Sequence, residues 1–151
     1  MGTAHDEVTR RILACAFDVH ARLGPGLLES TYRTCMEYRL KREGLAVRCE
    51  VPIAIDFDGA RIATAYRADV IVEGKVLLEL KSVEHLRSIH LAQLRTYLEH
   101  SRLHVGLLLN FNVQSLKQGI RRIELVAGNS PSCPHNPRTL PPTPPNSLFP
   151  S

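Results

Sequence analysis

The stretch Tyr66-Arg67-Ala68-Asp69-Val70-Ile71-Val72-Glu73-Gly74-Lys75-Val76-Leu77-Leu78-Glu79-Leu80-Lys81 decides how this chain is read. Two apolar runs, residues 70–72 and 76–78, flank a turn at Glu73-Gly74-Lys75. Runs this short, bounded by Gly and charge, predict two strands in a sheet covered on both faces. Asp69, Glu79 and Lys81 break into that apolar hairpin. Glu79 and Lys81 are two apart and share one strand face, while Leu78 and Leu80 take the other. A three-residue loop sets Asp69 opposite Glu79; a two-residue loop shifts the pairing by one. The first register is the expected one, because it lets Val72 face Val76 and gathers both carboxylates.

Buried charge is costly unless it is paired or bound to a metal. A hard cation such as Mg2+ takes one or two carboxylates and completes its shell with water and phosphate oxygens, which suits two acids and a lysine. For a Glu-x-Lys taken alone, the commoner explanation is a solvated strand face with Asp69 in a turn. The rest of the chain shifts the balance.

Upstream, Val8, Ile12, Ala16, Val19 and Leu23 recur at helical spacing and predict a helix over 6–23, ended by Gly24-Pro25-Gly26. A second helix is expected over 27–43, with Leu28, Tyr32, Cys35, Met36 and Leu40 on its core side and Gly44 closing it. Glu29 and Tyr32 share a face of that helix; alone, Glu29 is a favourable first-turn residue against the helix dipole. Alternation of Val47, Cys49, Val51, Ile53 and Ile55 with Arg48 and Glu50 predicts a half-buried strand, placed at an edge by Pro52. Asp58-Gly59 turns the chain into a strand over 61–66 that leads to the hairpin.

Downstream, Ser88 is the expected cap of a third helix over 89–101, with a core stripe of Ile89, Leu94 and Leu98. Gln93 and Tyr97 lie one turn apart on it; by themselves they read as a solvent face. Residues 105–111 are almost wholly apolar and predict a buried interior strand. Residues 120–126 alternate and close the sheet, beside a small basic cluster of Lys117, Arg121 and Arg122. From Gly128 the composition changes. Eight of the ten prolines fall between Pro131 and Pro150, so residues 128–151 are expected to be a disordered, proline-rich tail following a single domain over 1–127.

Composition sets bounds. With 151 residues the chain can bury a real core. A formal net charge of +4 is compatible with a phosphate-bearing partner without requiring one. Trp is absent and aromatics make up 5%, which argues against an extended base-stacking surface. Cys15, Cys35, Cys49 and Cys133 form no Cys-x-x-Cys pair and fit neither a zinc site nor an iron–sulfur run, so reduced thiols are expected. The polar first residues read as no signal peptide, and no apolar run nears the ~20 residues of a membrane span. The expectation is a cytoplasmic protein without membrane contact.

The motifs line up in one order. Gly26-Leu27-Leu28-Glu29-Ser30-Thr31-Tyr32 matches a Gly-x-x-Glu-x-x-Tyr signature and resembles the GxxExxY protein family. Tyr66-Arg67-Ala68-Asp69, Glu79-Leu80-Lys81, Gln93 to Tyr97 and Leu109-Asn110-Phe111-Asn112 resemble its remaining blocks. That family is similar to the PD-(D/E)XK nuclease superfamily, in particular the RecB-type and Cas4-type branch. The resemblance implies an α/β, restriction-endonuclease-like fold: a mixed central sheet flanked by helices. It implies Asp69 and Glu79 as metal ligands, Glu29 as a third acid helping to hold metal or water, and Lys81 orienting the attacking water. Gln93 and Tyr97 would position Lys81 or the nucleic-acid backbone. Ala68 stands where the superfamily's name has Pro, a departure that leaves the carboxylate in place. The Cas4-type cysteine cluster is missing, so no iron–sulfur cofactor is expected.

The implied activity is Mg2+- or Mn2+-dependent hydrolysis of phosphodiester bonds, with DNA as the expected substrate and homodimerisation an expectation for so small a nuclease core. The chemistry agrees: such hydrolysis needs a placed water and neutralisation of the non-bridging oxygens. The alternative is a non-catalytic nucleic-acid- or protein-binding module that keeps the nuclease fold. Few basic residues surround the site, which favours that alternative.

Overall fold

The computed structural model describes residues 2–126; the proline-rich segment lies outside them. The element order is α1 (Ala4–Leu23), α2 (Glu29–Arg42), β1 (Val47–Phe57), β2 (Ala60–Val72), β3 (Val76–Lys81), α3 (Ser88–Ser101), β4 (Val105–Asn110), a short 3-10 turn (Leu116–Gly119) and β5 (Ile120–Glu124). The five strands lie in the order β1-β2-β3-β4-β5. Only β3 and β4 are parallel, and α3 makes the crossover that a parallel pair requires. This is a mixed sheet between two helical layers, the expected α/β restriction-endonuclease-like architecture.

Alternation along the interior strands assigns the layers. Val70, Val72, Leu78, Leu80, Leu107 and Leu109 pack against α1 and α2, meeting Ile12, Ala16, Tyr32, Met36 and Leu40. Ile71, Leu77 and Leu108 face the other way, against Leu94 and Leu98 of α3. Each such leucine, fully buried, contributes about 1.5–3 kcal/mol. Gly106 lets α3 come close: a Cβ there would stand 2.8 Å from Leu94 Cδ1 and 3.0 Å from Leu98 Cδ1.

Several boundaries differ from expectation. α1 begins earlier, at a capping box in which the Thr3 N–H donates to Asp6 Oδ2 (2.8 Å) and the Asp6 N–H to Thr3 Oγ1 (3.3 Å). Leu28 is not a core residue; it is 74% exposed, because it precedes the first turn of α2 instead of lying on its inner face. Ser88 does not cap α3. Arg87 holds that position, its N–H donating to His90 Nδ1 at 3.0 Å, and Ser88 is the first helical residue. Ile89, at the outer start of α3, is exposed. The two strands expected on either side of Tyr66 are one continuous strand, β2. β1 does occupy the sheet edge, but its regular alternation fails: Glu50 takes a left-handed φ of 49° and the register shifts between Ile53 and Ile55.

Candidate active site

The site begins where the sheet divides. β2 and β3 pair through Val72↔Val76, Ile71↔Leu77 and Val70↔Leu78, the register of a three-residue loop. Glu73 and Gly74 both adopt left-handed backbone in that loop, φ 55° and 60°. Beyond Val70, β2 stays with β1 while β3 stays with β4, so the two strands separate. Their next backbone donors still need acceptors. Side chains supply them: the Asp69 N–H donates to Glu79 Oε1 at 3.3 Å, and the Leu80 N–H donates to Asp69 Oδ2 at 2.8 Å. The two carboxylates stand face to face in the fork.

Glu79 is 6% exposed. Burial first, and then the charge of Asp69, push its carboxyl up to about 8. Glu79 therefore holds its proton more tightly than an ordinary carboxylic acid does. Two acids this close resist double ionisation, the electrostatic condition that a bound cation relieves.

Lys81 follows on the same strand face. It pairs in register with Asn110, and its carbonyl accepts the Phe111 N–H at 2.9 Å. Its ammonium has no ion-pair partner within 4 Å among the described residues, although its charge is felt at both Glu79 and Glu29. Asn110, 1% exposed, fixes the segment just past Lys81: its Oδ1 accepts the Val83 and Asn112 N–H groups (3.1 and 3.2 Å), and its Nδ2 donates to the Val83 carbonyl (2.8 Å).

Glu29 is the first residue of α2, half-buried beside Lys81 and Asp69. Burial raises its carboxyl above the ordinary value; the Asp69 charge adds to this, and Lys81 and Arg33 oppose it. Tyr32, one turn on, explains the spacing of the signature. Its hydroxyl donates to the Gly24 carbonyl (2.5 Å) and accepts the Leu27 N–H (3.2 Å), while its ring stacks on Phe111 at 4.6 Å. Gly26, at φ 99°, turns the loop that this tyrosine holds. Ser82 Oγ then ties the end of β3 to the Leu27 carbonyl at 2.6 Å. Together these bonds hold the start of α2 against the end of β3, and Glu29 next to Lys81.

Tyr97 reaches the fork from α3. Its ring lies 4.8 Å from that of Tyr66, and its phenol is raised by burial, then by the charges of Glu79 and Asp69. Gln93, one turn before, is exposed and makes no side-chain hydrogen bond among the described residues. The structure thus brings Glu29, Asp69, Glu79, Lys81 and Tyr97 to one place and leaves Gln93 at its margin.

Sequence reasoning missed Arg33. Its Nη1 lies 3.6 Å from Asp69 Oδ1 and its Nη2 3.6 Å from Glu50 Oε1. The signal was available: Arg33 is four residues beyond Glu29, on the same helix face. Asn110 lies in a motif block that by itself gives it no role, since its partners are set by the loop after β3.

No group of three His, Cys, Asp or Glu side chains among the described residues is arranged to hold a metal ion. The donor set that does exist, a face-to-face carboxylate pair with a neighbouring lysine, fits a hard divalent cation that takes its other ligands from water and phosphate. A groove of about 670 Å³ between α1 and α2 shares no residue with this site. No described helix is long and apolar enough to cross a membrane.

Searches of curated proteins and of solved structures returned no match. The family comparison did: residues 6–123, most of the chain and all of the site, match the PD-(D/E)XK nuclease superfamily model. The mixed sheet flanked by helices agrees with that match, and the chain belongs to the PD-(D/E)XK nuclease superfamily.

Proposed function

We propose that this protein is a divalent-metal-dependent nuclease that hydrolyses phosphodiester bonds in nucleic acid, with DNA as its substrate. The observation that carries the reading is the pairing of half-buried Asp69 with buried Glu79, and a lysine two residues on that has no ion-pair partner among the described residues. Asp69 and Glu79 would hold Mg2+ or Mn2+, with Glu29 assisting from α2. When bound, such an ion neutralises charge on the non-bridging phosphate oxygens.

The chain's own residues do the rest. Glu79 would serve such an ion as its carboxylate, facing Asp69 across the fork. Lys81, whose main chain is fixed at the end of β3 and whose Nζ has no ion-pair partner among the described residues, donates to the attacking water or to a phosphoryl oxygen. A compact ammonium with three rotatable donors suits that role. Tyr97, with Gln93 beside it, orients Lys81 or the substrate backbone.

The test combines calorimetric titration of Mn2+ with a nuclease assay. Asp69→Asn is the variant to use, because alanine would also remove the acceptor of the Leu80 N–H. Wild type is expected to bind Mn2+ and Asp69→Asn to lose binding. Lys81→Met should bind the ion but cleave DNA about 100-fold more slowly or worse. Retained Mn2+ binding in Asp69→Asn, or full activity in Lys81→Met, refutes the assignment. Metal-indifferent DNA binding that weakens steeply with salt would instead identify a non-catalytic binding module.

A further inference from the structure

Asp69 has two carboxylate oxygens, and the fold uses them differently. Oδ2 accepts the Leu80 N–H. Oδ1 is the oxygen left for an ion, and the Arg33 guanidinium already stands 3.6 Å from it. The other arm of the same guanidinium lies 3.6 Å from Glu50 Oε1. Both separations exceed those of a charge-assisted hydrogen bond, so Arg33 is held by charge more than by directional bonds. It bridges a largely buried acid and a mostly exposed one: the Asp69 side chain is 14% accessible and that of Glu50 60%.

Glu50 is unusual in its own right. It lies on β1 between the paired positions Cys49↔Val70 and Val51↔Ala68, across from Asp69, and its φ of 49° is one that non-glycine residues rarely adopt. We propose that Arg33 is a resident counter-ion of Asp69 that an entering divalent cation displaces, and that Glu50 receives the guanidinium as it moves off. Arg33 thereby sets the metal concentration at which the site fills. This rests on the reading of Asp69 as a metal ligand.

The experiment is calorimetric titration of Mn2+ at constant pH into wild type, Arg33→Gln, Glu50→Gln and the double variant, with Asp69→Asn as control. Arg33→Gln should bind about fivefold tighter and Glu50→Gln about fivefold weaker. In the Arg33→Gln background, Glu50→Gln should have no further effect, because no guanidinium remains to be received. If Asp69-dependent binding in wild type is unchanged or weakened by Arg33→Gln, the counter-ion role is overturned while the metal reading stands. A Glu50→Gln effect that persists without Arg33 overturns the receiving role. Binding seen only after Arg33 is removed supports the proposal. Folded wild type and folded Arg33→Gln that both fail to bind overturn it together with the metal reading.

Discussion

Glu79 offers the sharpest test of the fork, because the fold resists its ionisation. Its carboxyl is raised from 4.5 to about 8, by burial and then by the facing Asp69. The folded state therefore keeps a proton that the unfolded state releases, and the contribution is fully present below pH ~4.5 and lost as pH rises through ~8. Within that window each pH unit removes about 1.4 kcal/mol, so about 3 kcal/mol is lost between about pH 5.5 and pH 7.5. Set against a typical domain stability of about 5–15 kcal/mol, that loss is large. Glu79→Gln resembles the protonated acid: its amide oxygen can still accept the Asp69 N–H, and its charge cannot change. Urea unfolding followed by circular dichroism, with chelator present throughout, should show similar stability for both proteins at the acid end. Glu79→Gln should then be more stable by about 4 kcal/mol near pH 7.5, since the two curves part at about pH 4.5. Groups that titrate alike in both proteins cancel in the difference. Parallel stability curves across this range would refute the electrostatic account of the pair.

Two other substitutions test how the site is held. Tyr32→Phe removes the hydroxyl bonded to Gly24 and Leu27; a loss of about 1–3 kcal/mol is expected by denaturant unfolding, with faster amide exchange at Leu27. Gly106→Ala drives a methyl into Leu94 and Leu98. It should destabilise by about 1–3 kcal/mol in thermal unfolding, while the spectroscopic signature of the α1–α2 layer is retained.

The hairpin was legible because two independent signals agreed, the apolar pairing of Val72 with Val76 and the turn chemistry of Glu73-Gly74. Once that register stood, Asp69 and Glu79 had to meet. Leu28 and Ile89 misled because each stands at a helix entrance, where periodicity cannot say which way the incoming chain bends. Glu50 misled for a related reason: alternation assumes extended backbone throughout, and a single left-handed residue changes the geometry of the edge strand. Asn110 and Ser82 stayed mute because their bonds close loops, joining residue 110 to 83 and 82 to 27. Arg33 was readable in helical spacing from Glu29, yet its partners Asp69 and Glu50 lie on strands whose meeting depends on the folded sheet.

The Leu80 bond to Asp69 ties chemistry to architecture and carries a consequence for sequence drift. On the proposed nuclease reading, a descendant of this chain that abandoned catalysis would still be under pressure to keep an acceptor at position 69, where the diverging strands need one. Position 81 carries no such second duty, since what anchors it is main chain and its ammonium makes no hydrogen bond or ion pair among the described residues. Decay should therefore begin at Lys81 and reach Asp69 late, which makes the lysine the more informative marker of a working copy.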